Sequence, residues 1–187
     1  SIQDQDVWVG APQSAVIMLN WPEDAKVVSV TSGNKAVLKV GKKKGAGPYD
    51  MYMQGLKAGK AKVTVKYKLN NGKTHTVSHT FTVKAYPNPF AWIKVNGKKI
   101  NLTKNKYFYR TEGYKKKEFT VSFKLNKNWK VEGLNGAYCI GDEWHALTWK
   151  KGVTRKMPAK HTRVCAAIDI RNSKTGAFLP YEIWFVR

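Results

Sequence analysis

The sequence predicts an all-β protein of two tandem β-sandwich domains, and three observations predict it. Apolar and polar residues alternate with a period of two through long parts of the 187-residue chain, as in strands with one buried face. Asn-Gly pairs and Pro-rich links punctuate these stretches at short intervals. No stretch sustains a helical period for three turns. The length suits two domains of about 90 to 100 residues, each able to bury a modest core, and seven tryptophans with nine tyrosines argue against a disordered chain.

The first clear element is a hairpin, "KVTVKYKLNNGKTHTVSHTFTV", from Lys62 to Val83. Val63, Val65, Tyr67 and Leu69 point one way on the outgoing strand; Val77, His79, Phe81 and Val83 do so on the return. A two-residue loop at Asn71 and Gly72 would set Val65 opposite Ser78 and mix the faces. A three-residue loop, Asn70 to Gly72, sets Val65 opposite Val77 and Ala61 opposite Phe81, so this register is expected. Two tempting fragments then lose their chemistry. The "GKT" lacks the partner glycine five residues earlier that a phosphate-binding loop needs, whose place is taken by Tyr67. His75 and His79 lie about 13 Å apart along a strand, beyond one zinc ion with bonds near 2 Å.

"KAYPNPFA" follows, with two prolines that stiffen a connector, and places the boundary between residues 1–85 and 86–187. "AWIKVNGKKINL" is a hairpin with a two-residue loop at Asn96 and Gly97 that sets Ile93 opposite Ile100. "KEFTVSFKL" turns Phe119, Val121, Phe123 and Leu125 inward. "NWKVEGLNGAYCIG" is expected to close at Asn135 and Gly136, pairing Val131 with Ile140. "RVCAAIDI" and "YEIWFVR" are late strands. The last is apolar on both faces, so Trp184 is either covered or an exposed anchor.

The first half resembles the bacterial immunoglobulin-like domains found in tandem on surface proteins of the invasin and intimin type and on Gram-positive wall proteins. The residues that carry this are "VVSVTSGNKAVLKV", "GLKAGKAKVTVKY" and the closing "HTFTVKA", together spanning about Ala25 to Ala85. In this pattern Leu56 starts a turn, Gly59 permits the bend, and Ala61, Val63 and Val65 enter the core. The longer, more basic "GKKKGAGPYDMYMQ" departs from it. The second half is read as another immunoglobulin-like sandwich from hairpin spacing alone. The resemblance implies an extracellular or cell-surface module serving as spacer, adhesin segment or wall-associated accessory, with no catalytic residues to transfer.

Charge bears on partners. The chain carries 34 Lys and Arg against 12 Asp and Glu, a net +22, with 13 basic and 5 acidic residues up to Ala85 and 21 and 7 beyond it, so both halves are basic. Such a field attracts anionic cell-wall polymers, acidic glycans, nucleic acid and membrane surfaces alike; host surface proteins are a further class of partner. No nucleic-acid reading motif is present, so specific nucleic-acid binding is not expected. No apolar run reaches the roughly 18 residues of a membrane span, and "SIQDQDVWVG" lacks the regions of a signal peptide, which is expected to have been removed or to lie outside this sequence.

Candidate chemistry is sparse. Cys139 and Cys165 are the only cysteines; in an exported protein they can form a disulfide worth on the order of 3 kcal/mol, or stand as two small buried thiols. A zinc site of Cys139, His145, His161 and Cys165 has suitable ligand types but lacks a zinc-knuckle spacing. Cys165 as a nucleophile has no signature around it, and the adjacent Asp142 and Glu143 would face opposite ways on a strand. Neither catalysis, nor a cofactor, nor a metal is expected. The aromatics say more: 17 of the 23 Phe, Tyr and Trp lie in the second half. There "GDEWHALTWKKG" offers Trp144 and Trp149 as a stacking platform, flanked by Lys150 and Lys151, for wall polymer or carbohydrate. The alternative is that these tryptophans fill the core.

Overall fold

The computed structural model describes residues 1–10, 15–16, 22–42, 51–102 and 107–187, with the backbone alone at 15–16. Most of the "GKKKGAGPYD" link, including Lys43 and Lys44, lies outside the described residues. The protein is all-β, the class expected from its alternation, and forms two compact units, Ser1–Pro87 and Asn88–Arg187.

In the first unit β1 (Val7–Trp8), β3 (Lys26–Ser32), β6 (Gly59–Lys68) and β7 (Thr74–Lys84) form a four-stranded sheet in the order β1-β7-β6-β3. A second sheet has the order β2-β5-β4, from β2 (Ala15–Val16), β5 (Met51–Gly55) and β4 (Leu38–Lys42). The β6–β7 register pairs Val65 with Val77 and Ala61 with Phe81. At its turn Leu69 N donates to Lys73 O (2.9 Å) and Gly72 takes a φ of 81°, so the loop is the three-residue one. The pairing keeps one apolar face intact: Val63, Val65 and Phe81 are fully buried against Leu38 and Met53 of the second sheet. Burying each such side chain contributes about 1.5–3 kcal/mol. Gly59 sits at a φ of 151°, and a Cβ there would meet Val37 Cγ2 at 3.0 Å, which accounts for a glycine at this bend. His75 stacks on Tyr67, whereas His79 meets Phe81 edge-on and lies 2.8 Å from Asp4 Oδ1.

The described residues of the second unit form ten strands. A hairpin of β8 (Phe90–Val95) and β9 (Lys98–Lys99) turns at Asn96 and Gly97 with φ of 51° and 79°, the primed two-residue turn, and Ile100 N donates to Ile93 O (2.9 Å). With β12 (Val121–Leu125) it makes a three-stranded sheet. Opposite lies a five-stranded sheet of β10 (Phe108–Thr111), β17 (Phe178–Val186), β16 (Arg163–Asn172), β13 (Trp129–Ile140) and β14 (Glu143–Ala146), in that order. Short strands β11 (Glu118–Phe119) and β15 (Arg155–Lys156) pair beside them. The sheets meet through aromatic rings: Phe90 lies 4.9 Å from Tyr181 and Phe119 lies 4.8 Å from Phe185 between centroids. Between β11 and β12 the chain changes sheets at Thr120, which Asn96 clamps. Asn96 N donates to Thr120 O, and Thr120 N donates to Asn96 Oδ1.

The expected turn at Asn135 and Gly136 does not form. Both residues sit inside β13, where Asn135 pairs with Ala167 and Gly136 with Ala166; the chain reverses instead at Gly141 and Asp142, where Gly141 has a φ of 61°. Gly136 serves close approach instead, since a Cβ there would lie 2.6 Å from the Cys165 carbonyl oxygen. Gly136→Ala is therefore expected to destabilise the second unit by roughly 2–4 kcal/mol. Gly72→Asn, at a left-handed position with nothing within 4 Å, is expected to cost under about 1 kcal/mol. Urea unfolding of each variant followed by circular dichroism measures both.

Candidate functional site

Strand pleat decides which side chains leave the core of the second unit. On β17, Tyr181, Ile183 and Phe185 point inward and are fully buried, so Glu182, Trp184 and Val186 face out. Register then lays out the outer face of the five-stranded sheet. One row reads Trp184, Cys165, Ala137, Ala146; the next reads Val186, Arg163, Cys139, Trp144. Apart from Arg163, the middle of this face is made of small residues, Cys165, Ala137 and Cys139, which leaves room for the large ones to lean in. β14 and β17 are three strand spacings apart, about 14 Å, yet the Trp144 and Trp184 ring centroids are 6.1 Å apart and nearly perpendicular.

Two consequences follow for the rings and the sulfurs. The Arg163 guanidinium lies 4.7 Å over the Trp144 ring, a contact worth about 0.5–2 kcal/mol. Trp184 Nε1 donates to Glu182 Oε2 at 2.7 Å, so one indole is anchored while Trp144 stays 47% exposed. Beneath the rings Cys139 and Cys165 are both buried although they stand on an outer face. They are diagonal rather than facing partners, about 7–8 Å apart, beyond the separation a disulfide spans without backbone movement, and both thiols are free. Burial first, and then the Glu182 carboxylate, push the Cys165 thiol up to about 12 from an ordinary 9.0. It is neutral at physiological pH. That raised value stabilises the fold below pH 9, and the contribution is lost as pH climbs toward 12.

The platform expected from Trp144, Trp149, Lys150 and Lys151 is not assembled. Trp149 is buried at 6% exposure, its Nε1 donating to Asn135 O at 2.6 Å, so its ring fills the core. Lys151 lies over Phe123, 5.1 Å from the ring centroid, and Lys150 is exposed. The partner of Trp144 is Trp184 instead. Parity carried a signal for this: Trp144 and Trp149 are an odd number of residues apart and cannot share a face of one strand. The residue that sequence reasoning missed altogether is Arg163, because only the register of β16 against β13 and β14 brings it to Trp144. The four residues weighed as a zinc site are dispersed. Cys139 Sγ donates to Gly141 O, His145 stacks on Tyr138, and His161 Nδ1 bonds Pro158 O. Among the described residues no group of three metal-ligating side chains forms, and no helix is long and apolar enough to cross a membrane.

No family model and no curated protein matches the chain. Among solved structures it is similar to the protocadherin gammaB7 EC3-6 cis-dimer, at 9% identity and a TM-score of 0.26, over 97% of this chain and 49% of that one. The fibronectin(III)-like modules of Clostridium thermocellum CbhA match at 10% identity and a TM-score of 0.25, over 87% and 93%. SGBP-B of the Bacteroides ovatus mixed-linkage glucan utilization locus, solved with a mixed-linkage heptasaccharide, matches at 8% and 0.28, over 99% and 66%. The chain thus spans about half the length of the protocadherin structure.

A thiol near 12 is ionised in roughly one molecule in ten thousand at pH 8. Cys165 is held back by this and by its burial, and Cys139 by its burial alone, so native protein at that pH is expected to leave both cysteines unmodified by a chromogenic disulfide reagent over minutes, while urea-unfolded protein reacts at both. Trp184→Ala, which removes the cover over Cys165, is expected to raise the native reaction rate at least tenfold.

Proposed function

We propose that the protein is a non-enzymatic, extracellular or cell-surface module of the bacterial immunoglobulin-like kind. It works by adhesion, and the outer face around Trp144, Arg163 and Trp184 meets a protein partner. The observation that carries this reading is the half-exposed Trp144 with an arginine stacked on its ring, beside a second tryptophan, on the outer face of the five-stranded sheet. Trp and Arg in such a setting are the residues that dominate protein–protein hot spots. The resemblance of Ala25–Ala85 to modules of bacterial surface proteins supports the setting. A neutral Cys165 and dispersed carboxylates support the absence of catalysis.

A carbohydrate platform is the second reading. Trp144 favours it, since an exposed indole can stack on a sugar. Two features weigh against it: Trp149 is in the core, and one side of the Trp144 ring is already occupied by Arg163.

Adhesion of protein-coated beads to cultured epithelial cells tests the two readings. Trypsin treatment of the cells is expected to abolish adhesion and mild periodate oxidation of their glycans to leave it. Trp144→Ala is expected to weaken binding about thirtyfold, the loss of a hot-spot residue worth about 2 kcal/mol. Sensitivity to periodate with resistance to trypsin would favour the glycan platform, and an unaffected Trp144→Ala variant would remove this face from the function.

A further inference from the structure

Away from the tryptophan face, the second unit holds a cleft of about 640 Å³ between the Tyr114–Glu118 segment and the Lys156–His161 segment. Six of its twelve lining residues are Lys or Arg, against 34 of 187 in the chain, with Glu118 the one carboxylate side chain among them. This is a concentration of charge, not a sample of the general surface. Among the described residues none of Lys115, Lys116, Lys117, Lys156 and Lys160 makes an ion pair. Like charges gathered in this way repel one another, and a bound anion relieves that repulsion.

The walls are tied together. Glu118 pairs with Lys156 across β11 and β15, and Met157 N donates to Lys117 O at 2.8 Å. Tyr114 OH donates to Glu118 O at 2.5 Å and accepts from Asn96 Nδ2 at 2.9 Å. The lysines therefore rise from backbone already fixed, which lowers the ordering cost of binding. His161 also lines the cleft. Its Nδ1 bonds the Pro158 carbonyl at 2.6 Å, so that nitrogen carries the proton in the neutral ring and Nε2 is left as a buried acceptor with no partner among the described residues. A ligand hydroxyl would satisfy it.

We propose that this cleft binds a tetrahedral oxyanion ester on a polyol or sugar polymer, with the lysines around the oxyanion and His161 Nε2 accepting a neighbouring hydroxyl. Lysines act as point charges that can approach from several directions, which suits the out-of-plane oxygens of a tetrahedral ester, whereas a carboxylate presents its two oxygens in one plane. The aromatic side chain at the cleft is Tyr114, which is buried with its hydroxyl engaged and presents no ring for a nucleobase to stack upon. The proposal stands independently of the adhesion face.

Titration calorimetry on the whole chain at 150 mM NaCl tests it. Poly(glycerol phosphate) and heparin serve as the phosphate and sulfate probes, with polygalacturonate and single-stranded DNA as comparisons. Saturable binding of at least one ester polymer, at least tenfold tighter than polygalacturonate and DNA, is expected. The variant K115Q/K117Q/K156Q/K160Q is expected to lose that binding at least tenfold. K60Q/K62Q/K66Q/K68Q, which removes as many charges from exposed positions of β6, should lose less than threefold. All eight lysines are surface residues, and unchanged thermal melting verifies that the variants fold. Equal losses in the two variants would reduce the effect to the overall +22 charge and overturn the proposal. So would the absence of saturable binding by either ester polymer, or comparison polymers that bind as tightly.

Discussion

The parity of β17 is the constraint on which the second unit depends. Tyr181 and Phe185 meet aromatic rings of the opposing layer and Ile183 between them is fully buried, so a shift of one residue would expel three large side chains and bury Glu182 and Trp184 in their place. With that strand pinned, β16 and β13 follow by register, and the outer face is determined down to which small residues lie under which rings. The tryptophan pair is thus a by-product of core packing on the other side of the same strands. Glu182 holds one indole by its Nε1 and Arg163 covers the other, so the face is organised before any partner arrives.

Local features of the fold were legible in the sequence because they depend on neighbours in the chain. The Asn70–Gly72 and Asn96–Gly97 turns, the inward sets of β6, β7 and β12, and the late strands β16 and β17 follow from alternation and left-handed turn residues. What alternation does not carry is which strand lies beside which. Asn135-Gly136 has the chemistry of a tight turn, yet the small side chains of Ala166 and Ala167 across from it let the strand run on, and Gly136 accommodates the Cys165 carbonyl. The pairing of Trp144 with Trp184 spans forty residues of sequence and was legible only as two separate aromatic positions. Trp149 lost its place at the surface to an indole N–H bond with Asn135 O, a contact that no local pattern announces.

Charge follows the same division. The net +22 is visible in composition but has no address there. The fold leaves the lysines of β6 spread along a solvated face and draws those of residues 115–117 and 156–160 around one cleft, because a two-residue bridge, Glu118 to Phe119 with Arg155 to Lys156, stitches two otherwise unrelated loops together. Lysines spread along a strand face and lysines drawn around one cleft have different electrostatic consequences.

The first unit has a further property that lies in the direction of its first and last strands. β1 runs parallel to β7, with Val7 beside Val83 and Trp8 beside Lys84, and the pair is reinforced by Val9 N donating to Lys84 O and by a Lys84–Asp6 ion pair. Tension applied along the chain through the two ends of this unit draws β1 and β7 in opposite senses along their own length. The bonds between them then carry the load together, in shear, instead of parting one at a time as the rungs of a hairpin would. A unit built this way resists extension best along the axis that joins its two ends.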